Sequence, residues 1–539
     1  MKTTLQILLL FFTCGSFAQI TLEHTYSEGT VTRVNLEYSG EKYYVLKSAT
    51  NELMFYNADH SFWKTIVLSA PAPNQFTSTQ VFHVSEAKIN SDVDIEIVYG
   101  YFNDIAKYFE SKVISEDGTV LLTIPNASSV YLDEVPGLSD KLITENTGSN
   151  TNSKVYSVPD LVLENSYTEG TIKRIKLENS GEKYYVLDKT NQNTKIYNQN
   201  HSLWKTIALP KPTNFDFTEI DFISETKINP DKLIEIGYSL SETVDNTTTY
   251  LSKIVNEDNV ELLTVPKSRK LVINTIDGLA DKLFAELPTN FVQYNTNIYN
   301  LPSLILEKAY EGAMTRVKLE NSGEKYYTSY NPSNNKVQIY NSNHSLWKTI
   351  DLTSDSTFLS NNITTVSSIS ESKINQDALI ELVYTYNTGL LAFCCGYSSR
   401  IINEKGTILL DAIYILNLQI NEINDLANKL TGSQGFTDSN IAAPTLVYSI
   451  GNLSTSDFNK RTKVAISPNP AKTFLNINSS ASPIKEVTIY NMTGAVVKRE
   501  TAQNSTKINV EKLPTGIYIV NLTDFNNQKS THKITVLRQ

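Results

Sequence analysis

Three short runs of oxygen-bearing residues recur in the chain: Asn90, Asp92 and Glu96, then Asn229, Asp231 and Glu235, then Asn375, Asp377 and Glu381. Each lies in a segment of the form S-E-x-K-I-N-x-D-x-x-I-E. Carboxylate and amide oxygens at this spacing are the donors a hard cation such as calcium takes. Calcium loops usually add a glycine at their sharp turn, and none of the three runs has one. An Asn two residues before an Asp also forms an Asx turn, and in an extended strand the glutamate can point away from it. The turn is the expected reading, with calcium as its alternative. A second group is His60, His201 and His344, in HSFWKTI, HSLWKTI and HSLWKTI, which also hold Trp63, Trp204 and Trp347, all the tryptophans of the chain. They could form a threefold aromatic ligand site. A turn explains the whole motif instead, because His tolerates positive φ and the neighbouring Trp then packs inward. Cys394 and Cys395 adjoin one another in LLAFCCGYSS, open to a vicinal disulfide, free thiols or an intermolecular link, with no histidine nearby to complete a metal site. No G-x-S-x-G, H-E-x-x-H, P-loop or dinucleotide fingerprint occurs. The recurrent carboxylates come in three copies, whereas catalysis normally needs one asymmetric pair. No catalytic, cofactor-binding or metal-ligating residue is assigned.

The elements that position these groups are set by repetition. SGEKYY occurs at 39–44, 180–185 and 322–327, a period of about 141 residues, and PGLSDKL, DGLADKL and NDLANKL keep the same period. The repeats run from about 20–160, 161–303 and 304–450. In the second, TIKRIKLE, KYYVLD, TKIYNQ and SLWKTIAL are short alternating segments separated by turn residues, the pattern of a four-stranded meander, and two further meanders follow. Many tyrosines and few methionines agree with an all-β chain. Each meander spans about 47 residues, close to a propeller blade. The expected fold is a β-propeller of about nine four-stranded blades. Six larger blades or three sandwiches are the alternatives. LVLENSY (161–167) and LILEKAY (304–310) end the first two repeats, the third lacks this strand, and ITLEHTY (20–26) supplies it from the N-terminus. The N-terminal strand is therefore expected to close the ring.

The ends of the chain carry its address. Lys2, the apolar run Leu5 to Phe12 and small residues up to Ala18 have the order of a signal peptide, residues 1–18, cleaved between Ala18 and Gln19. Cys14 lacks a good lipobox around it, and no run is long enough for a transmembrane segment. The formal charge is -10, yet from Val464 onward it is about +5, so the repeats are acidic and unsuited to nucleic acid or anionic membrane. Residues 451–463 read as a linker between the repeat domain, 19–450, and a last domain, 464–539.

That last domain begins with Pro468-Asn469-Pro470, continues with IYNMTG, ending at Gly494, and then LPTGIYIV with Leu513, Pro514, Gly516 and Tyr518, before a basic final strand. It resembles the type A C-terminal sorting domain of type IX secretion cargo. A small β-sandwich of about seven strands suits it, with Gly494 and Gly516 in turns and Pro514 ending the preceding segment. The resemblance implies export across the outer membrane, with the type IX secretion machinery as partner. It also implies removal of the domain and release or surface attachment of the cargo. The expected function is non-enzymatic binding or adhesion outside the cell, to a glycan or a protein, with no cofactor unless the calcium turns are used. The alternative is a secreted carbohydrate- or polymer-acting enzyme with its site at the propeller axis.

Overall fold

The computed structural model describes residues 20–537 apart from 48, 69–78, 91, 104–106, 147–151, 290–292, 330–334, 353–361, 376, 388–396, 435–442, 451–463, 468–469, 480–483, 492–494, 502–506 and 525–528. The signal peptide, Cys14, Cys394, Cys395, the linker, Pro468, Asn469 and Gly494 lie outside the described residues. Two compact units are present. One is Met1–Arg33, Tyr43–Glu422 and Ala427–Asn452, and the other is Val34–Lys42, Ile423–Leu426 and Leu453–Gln539.

The architecture is all-β and propeller-like. Among the described residues the repeats form nine antiparallel four-stranded sheets in chain order, at 31–67, 80–125, 129–167, 173–208, 216–266, 270–310, 314–351, 362–412 and 415–449. Middle strands are buried on both faces because a neighbouring sheet covers each side. Gly181–Asp188, for example, is buried along most of its length, whereas the outer strand Leu203–Ala208 alternates with solvent. The apolar cores lie between successive sheets. Leu177, Tyr185 and Ile207 of the fourth meet Phe217, Ile236 and Tyr238 of the fifth.

The ninth sheet takes three strands from the third repeat and its outer strand, Thr21–Tyr26, from the start of the chain. Thr21 stands opposite Ser449 and Tyr26 opposite Thr445. This pairing copies its in-chain equivalents closely. The register shifts around Glu164 in Leu163–Tyr167, around Glu307 in Leu306–Tyr310 and around Glu23 in the displaced strand. Each shift is a bulge with a glutamate as the extra residue.

A buried arginine joins each repeat to the one before it. Arg174 and Arg316, on the first strands of the fourth and seventh sheets, donate through Nη2 to the carbonyls of Ser139 (2.6 Å) and Ala280 (2.8 Å). Through Nη1 they reach Asp133 and Asn274 at 3.2 and 3.1 Å. Arg33 makes the same contacts to the last sheet, at 2.6 Å to Ala427 and 3.1 Å to Asn421. The first sheet therefore contacts the ninth as the fourth contacts the third. Tyr26 and Val447 also share a core with Val31, Tyr43 and Val45.

In the second unit, strands between Val464 and Val536 form a three-stranded and a four-stranded sheet, seven strands among the described residues. Leu475 and Ile477 of one share a core with Val487, Val520 and Ile534 of the other. Gly516 opens the strand Gly516–Asp524, opposite Val536, rather than serving a turn. The turn lies earlier, at Val510–Leu513, where the Leu513 amide donates to the Val510 carbonyl.

Arg316→Ala would leave two carbonyls and the Glu324 carboxylate, 2.7 Å from Nε, without their donor. Urea unfolding should show a loss of about 3–5 kcal/mol. Lys336→Ala in the same sheet, an exposed ion pair with Asp351, should change stability by under about 0.5 kcal/mol.

Candidate functional site

His60, His201 and His344 adopt φ of 64°, 63° and 62° in hairpin turns, the left-handed conformation the turn reading requires. Their rings are turned into the junctions between the ninth and first, third and fourth, and sixth and seventh sheets. Nδ1 meets the hydroxyl of Tyr26, Tyr167 or Tyr310 at 2.8, 2.7 and 2.9 Å. Nε2 faces the bulged Glu23, Glu164 or Glu307 at 3.4, 3.4 and 3.7 Å. Those glutamates are also held by Lys429, by Lys141 at 2.5 Å and by Lys282 at 2.7 Å. Burial holds His201 and His344 below the ordinary imidazole range. The three tryptophans are half-buried and capped by lysines. Lys64 lies 4.2 Å over Trp63, Lys183 and Lys205 lie over Trp204, and Lys325 and Lys348 over Trp347. These six residues tie sheets together and present no open aromatic surface.

The three acidic runs are Asx turns. The amides of Asp92, Asp231 and Asp377 donate to Asn90, Asn229 and Asn375 Oδ1 at 3.1, 3.0 and 2.9 Å. The glutamates do not point away. Glu96, Glu235 and Glu381 are wholly buried, each beside its aspartate. Burial first, and then the neighbouring aspartate charge, pushes Glu96 and Glu235 up to about 8 and Glu381 to about 9. Among the described residues no three of His, Cys, Asp and Glu are grouped to hold a metal ion. In the last domain Leu513 is buried, the Tyr518 hydroxyl donates to Pro514 at 2.8 Å, and Pro470 is exposed.

The threefold pattern breaks at the inner strand of the ninth sheet. Its equivalents Ser129–Asp133 and Lys270–Asn274 pair without a register shift. In Ile415–Asn421, however, Leu416 stands opposite Ser433 and Gln419 opposite Thr431, so Asn417 and Leu418 share one partner, Gly432. Asn417 takes φ 52° in this bulge. Thr144 and Ala285 hold the place of Gly432 in the other repeats. A Cβ on Gly432 would overlap Ile415 and stand 3.2 Å from Leu418, so only glycine leaves room for the bulge.

Beside the bulge is a cleft of about 400 Å³ between the eighth and ninth sheets, lined by Thr365, Ser367, Thr385, Tyr397, Asn417 and Gln419 with two leucines. Ser367 Oγ donates to Leu418 O at 3.2 Å and ties the two walls together. Tyr397 is partly exposed, and among the described residues no charged side chain lines the cleft. Hydroxyls, amides and one aromatic ring both donate and accept hydrogen bonds around an uncharged space. A cleft of about 390 Å³ between the fourth and fifth sheets is instead lined by charges of both signs, including Lys173, Lys189, Glu169 and Glu219. Sequence reading missed the first cleft because its residues do not recur and match no motif. The only local trace is the Asn417–Gly432 pair, which periodicity does not reveal.

Residues 465–537 match the family model of the secretion system C-terminal sorting domain. This makes the chain a type IX cargo, bound for the exterior or the outer cell surface, and makes that machinery its partner. Among the described residues no helix is long and apolar enough to cross a membrane. No curated protein matches the chain. Similar solved structures include the Dos1 propeller (11% identity, 80% of this chain and 95% of that one, TM-score 0.36). BamB from Moraxella catarrhalis (8%, 69% and 99%, TM-score 0.34) and Sqt1 from Saccharomyces cerevisiae (11%, 81% and 99%, TM-score 0.31) are also similar.

Gly432→Ala should cost about 1–3 kcal/mol through overpacking and remove the bulge, seen as altered amide exchange at Asn417 and Leu418. The histidines give a second test. Their folded pKa lies below the free value of 6.5, so the unfolded chain binds more protons in acid. The contribution is full above about pH 6.5 and is lost as pH falls through it. Urea midpoints should therefore drop from neutral to mildly acid pH less steeply in His201→Asn/His344→Asn than in the wild type.

Proposed function

We propose that this protein is an extracellular or surface-borne binding protein. In this reading its repeats close into a nine-bladed propeller, and the cleft beside Asn417 takes a neutral glycan without turning it over. The observation that carries the binding site is the coincidence of a bulge that the equivalent strands of the other repeats lack with a cleft whose described lining is uncharged, walled by hydroxyls, amides and Tyr397. A sugar offers hydroxyls to such a lining and an apolar face to an aromatic ring. Among its described residues the lining offers charged polymers no partner and holds no carboxylate pair for acid–base chemistry. Closure is supported by Thr21–Tyr26 completing the ninth sheet and by Arg33 repeating the contacts of Arg174 and Arg316.

The proposal extends to maturation: cleavage between Ala18 and Gln19, and removal of 464–539 within the linker 451–463 after export. Both are read by intact-mass analysis of the secreted protein.

Purified chain should bind a neutral oligosaccharide on a glycan array, with no new product by chromatography. Tyr397→Ala and Asn417→Ala should each weaken binding at least about tenfold, or about 1.4 kcal/mol. Turnover of the ligand would replace binding by catalysis. Unchanged affinity in both variants would remove the cleft from the site.

A further inference from the structure

Glu96, Glu235 and Glu381 are fully enclosed, and neither carboxylate oxygen of any of the three has a hydrogen-bond partner among the described residues. An ionised carboxylate left in this state is among the most costly groups to bury, and here it is buried at the same place in every repeat. Beside each lies a second carboxylate, of Asp92, Asp231 or Asp377, near enough to share a proton or an ion with it. One oxygen of each aspartate already accepts a backbone amide, from Asp94, Leu233 or Leu379, at 3.0, 2.9 and 2.9 Å. In the first repeat the second oxygen accepts from Asn90 Nδ2 at 2.9 Å, and Asn90 and Asn229 also lie beside Glu96 and Glu235. Further negative charge comes from Asp94 in the first repeat, Glu178 in the second and Glu320 in the third. The lysine of each motif does not relieve it. Lys88, Lys227 and Lys373 are drawn to Glu134, Asp281 and Glu422 of the following sheet.

We propose that each repeat binds a divalent cation of hard-oxygen preference, calcium above all, between the paired carboxylates Asp92 and Glu96, Asp231 and Glu235, and Asp377 and Glu381. An ion there satisfies both glutamate oxygens at once, whereas a shared proton reaches one of them. It also fastens the loop to the second strand of its sheet, which each glutamate opens. Two carboxylates are few for calcium, so carbonyls and water complete the shell. The expected affinity is that of extracellular modules, with Kd on the order of 10⁻⁴–10⁻³ M.

The test uses full-length chain stripped with EDTA and desalted. Terbium titration and elemental analysis after equilibration in millimolar CaCl2 should count about three ions per chain, and the Tm should rise in CaCl2 and fall in EDTA. Asp92→Asn, Asp231→Asn and Asp377→Asn keep the amide-accepting oxygen, and each should lower the count by one. Ion binding that persists undiminished in all three variants would place it elsewhere and overturn the proposal. So would a wild-type chain that takes up no ion and whose Tm ignores both calcium and EDTA. In that case a shared proton is the occupant. Carboxyls that ionise near 8 to 9 when folded but near 4.5 when unfolded then favour the folded state in acid, and that gain is lost as pH rises through this range.

Discussion

The junction between one repeat and the next is the constraint on which the structure depends, because the same contacts also join the first sheet to the ninth. At each junction a glutamate bulge and a tyrosine on the outer strand of one sheet hold the histidine turn of the next. Nearer the inner strands an arginine reaches back to two carbonyls. Glu23, Tyr26 and Arg33 supply all of these groups from within the first fourteen described residues. Without them Thr445–Ser449 would be an open edge beside polar strand ends, a template for pairing with other chains. Local repeat proteins add stability unit by unit and can fray from either end. Pairing the first strand with the last exchanges that freedom for cooperativity, at the cost of closing a very long loop once.

Much of this was legible in the sequence because it is periodic. The displaced strand followed from a missing LVLE-like segment, and the histidine turns followed from the residue's tolerance of positive φ. The arginines are different. They recur in VTRVNLE, IKRIKLE and MTRVKLE, but an arginine within an alternating strand reads as an exposed residue, and its partners are backbone carbonyls that leave no signature in side-chain identity. The glutamate bulges were hidden for the same reason, since a bulge changes register without changing composition. Glu96 and its equivalents were noticed, but their direction depends on which face of the strand the next sheet covers, and the motif does not state that.

The turn placed at Gly516 was assigned on the usual association of glycine with turns. In the structure Val510–Leu513 make the turn and Gly516 begins a ladder, where an added Cβ would meet the ring of Tyr518 only at ordinary contact distance. Neither a positive φ nor crowding requires glycine at this position. Gly432 is the contrasting case, since its lack of a side chain is what admits the bulge across from it.

Symmetry also separates the two kinds of binding argued for this chain. Groups built from repeated residues come in threes, so the Asp–Glu pairs can serve only a role that each repeat needs equally, such as fastening a loop. Selectivity for one ligand requires a place where the copies differ. Substituting Gly432 where the other repeats carry Thr144 and Ala285 creates such a place at the level of backbone register, which moves several side chains at once. A threefold glycan site would gain affinity by avidity when its ligand spans the copies. A single cleft gains nothing from its neighbours and must depend on its own walls. The tie from Ser367 to Leu418, joining the eighth sheet to the ninth across the cleft floor, supplies the rigidity this requires.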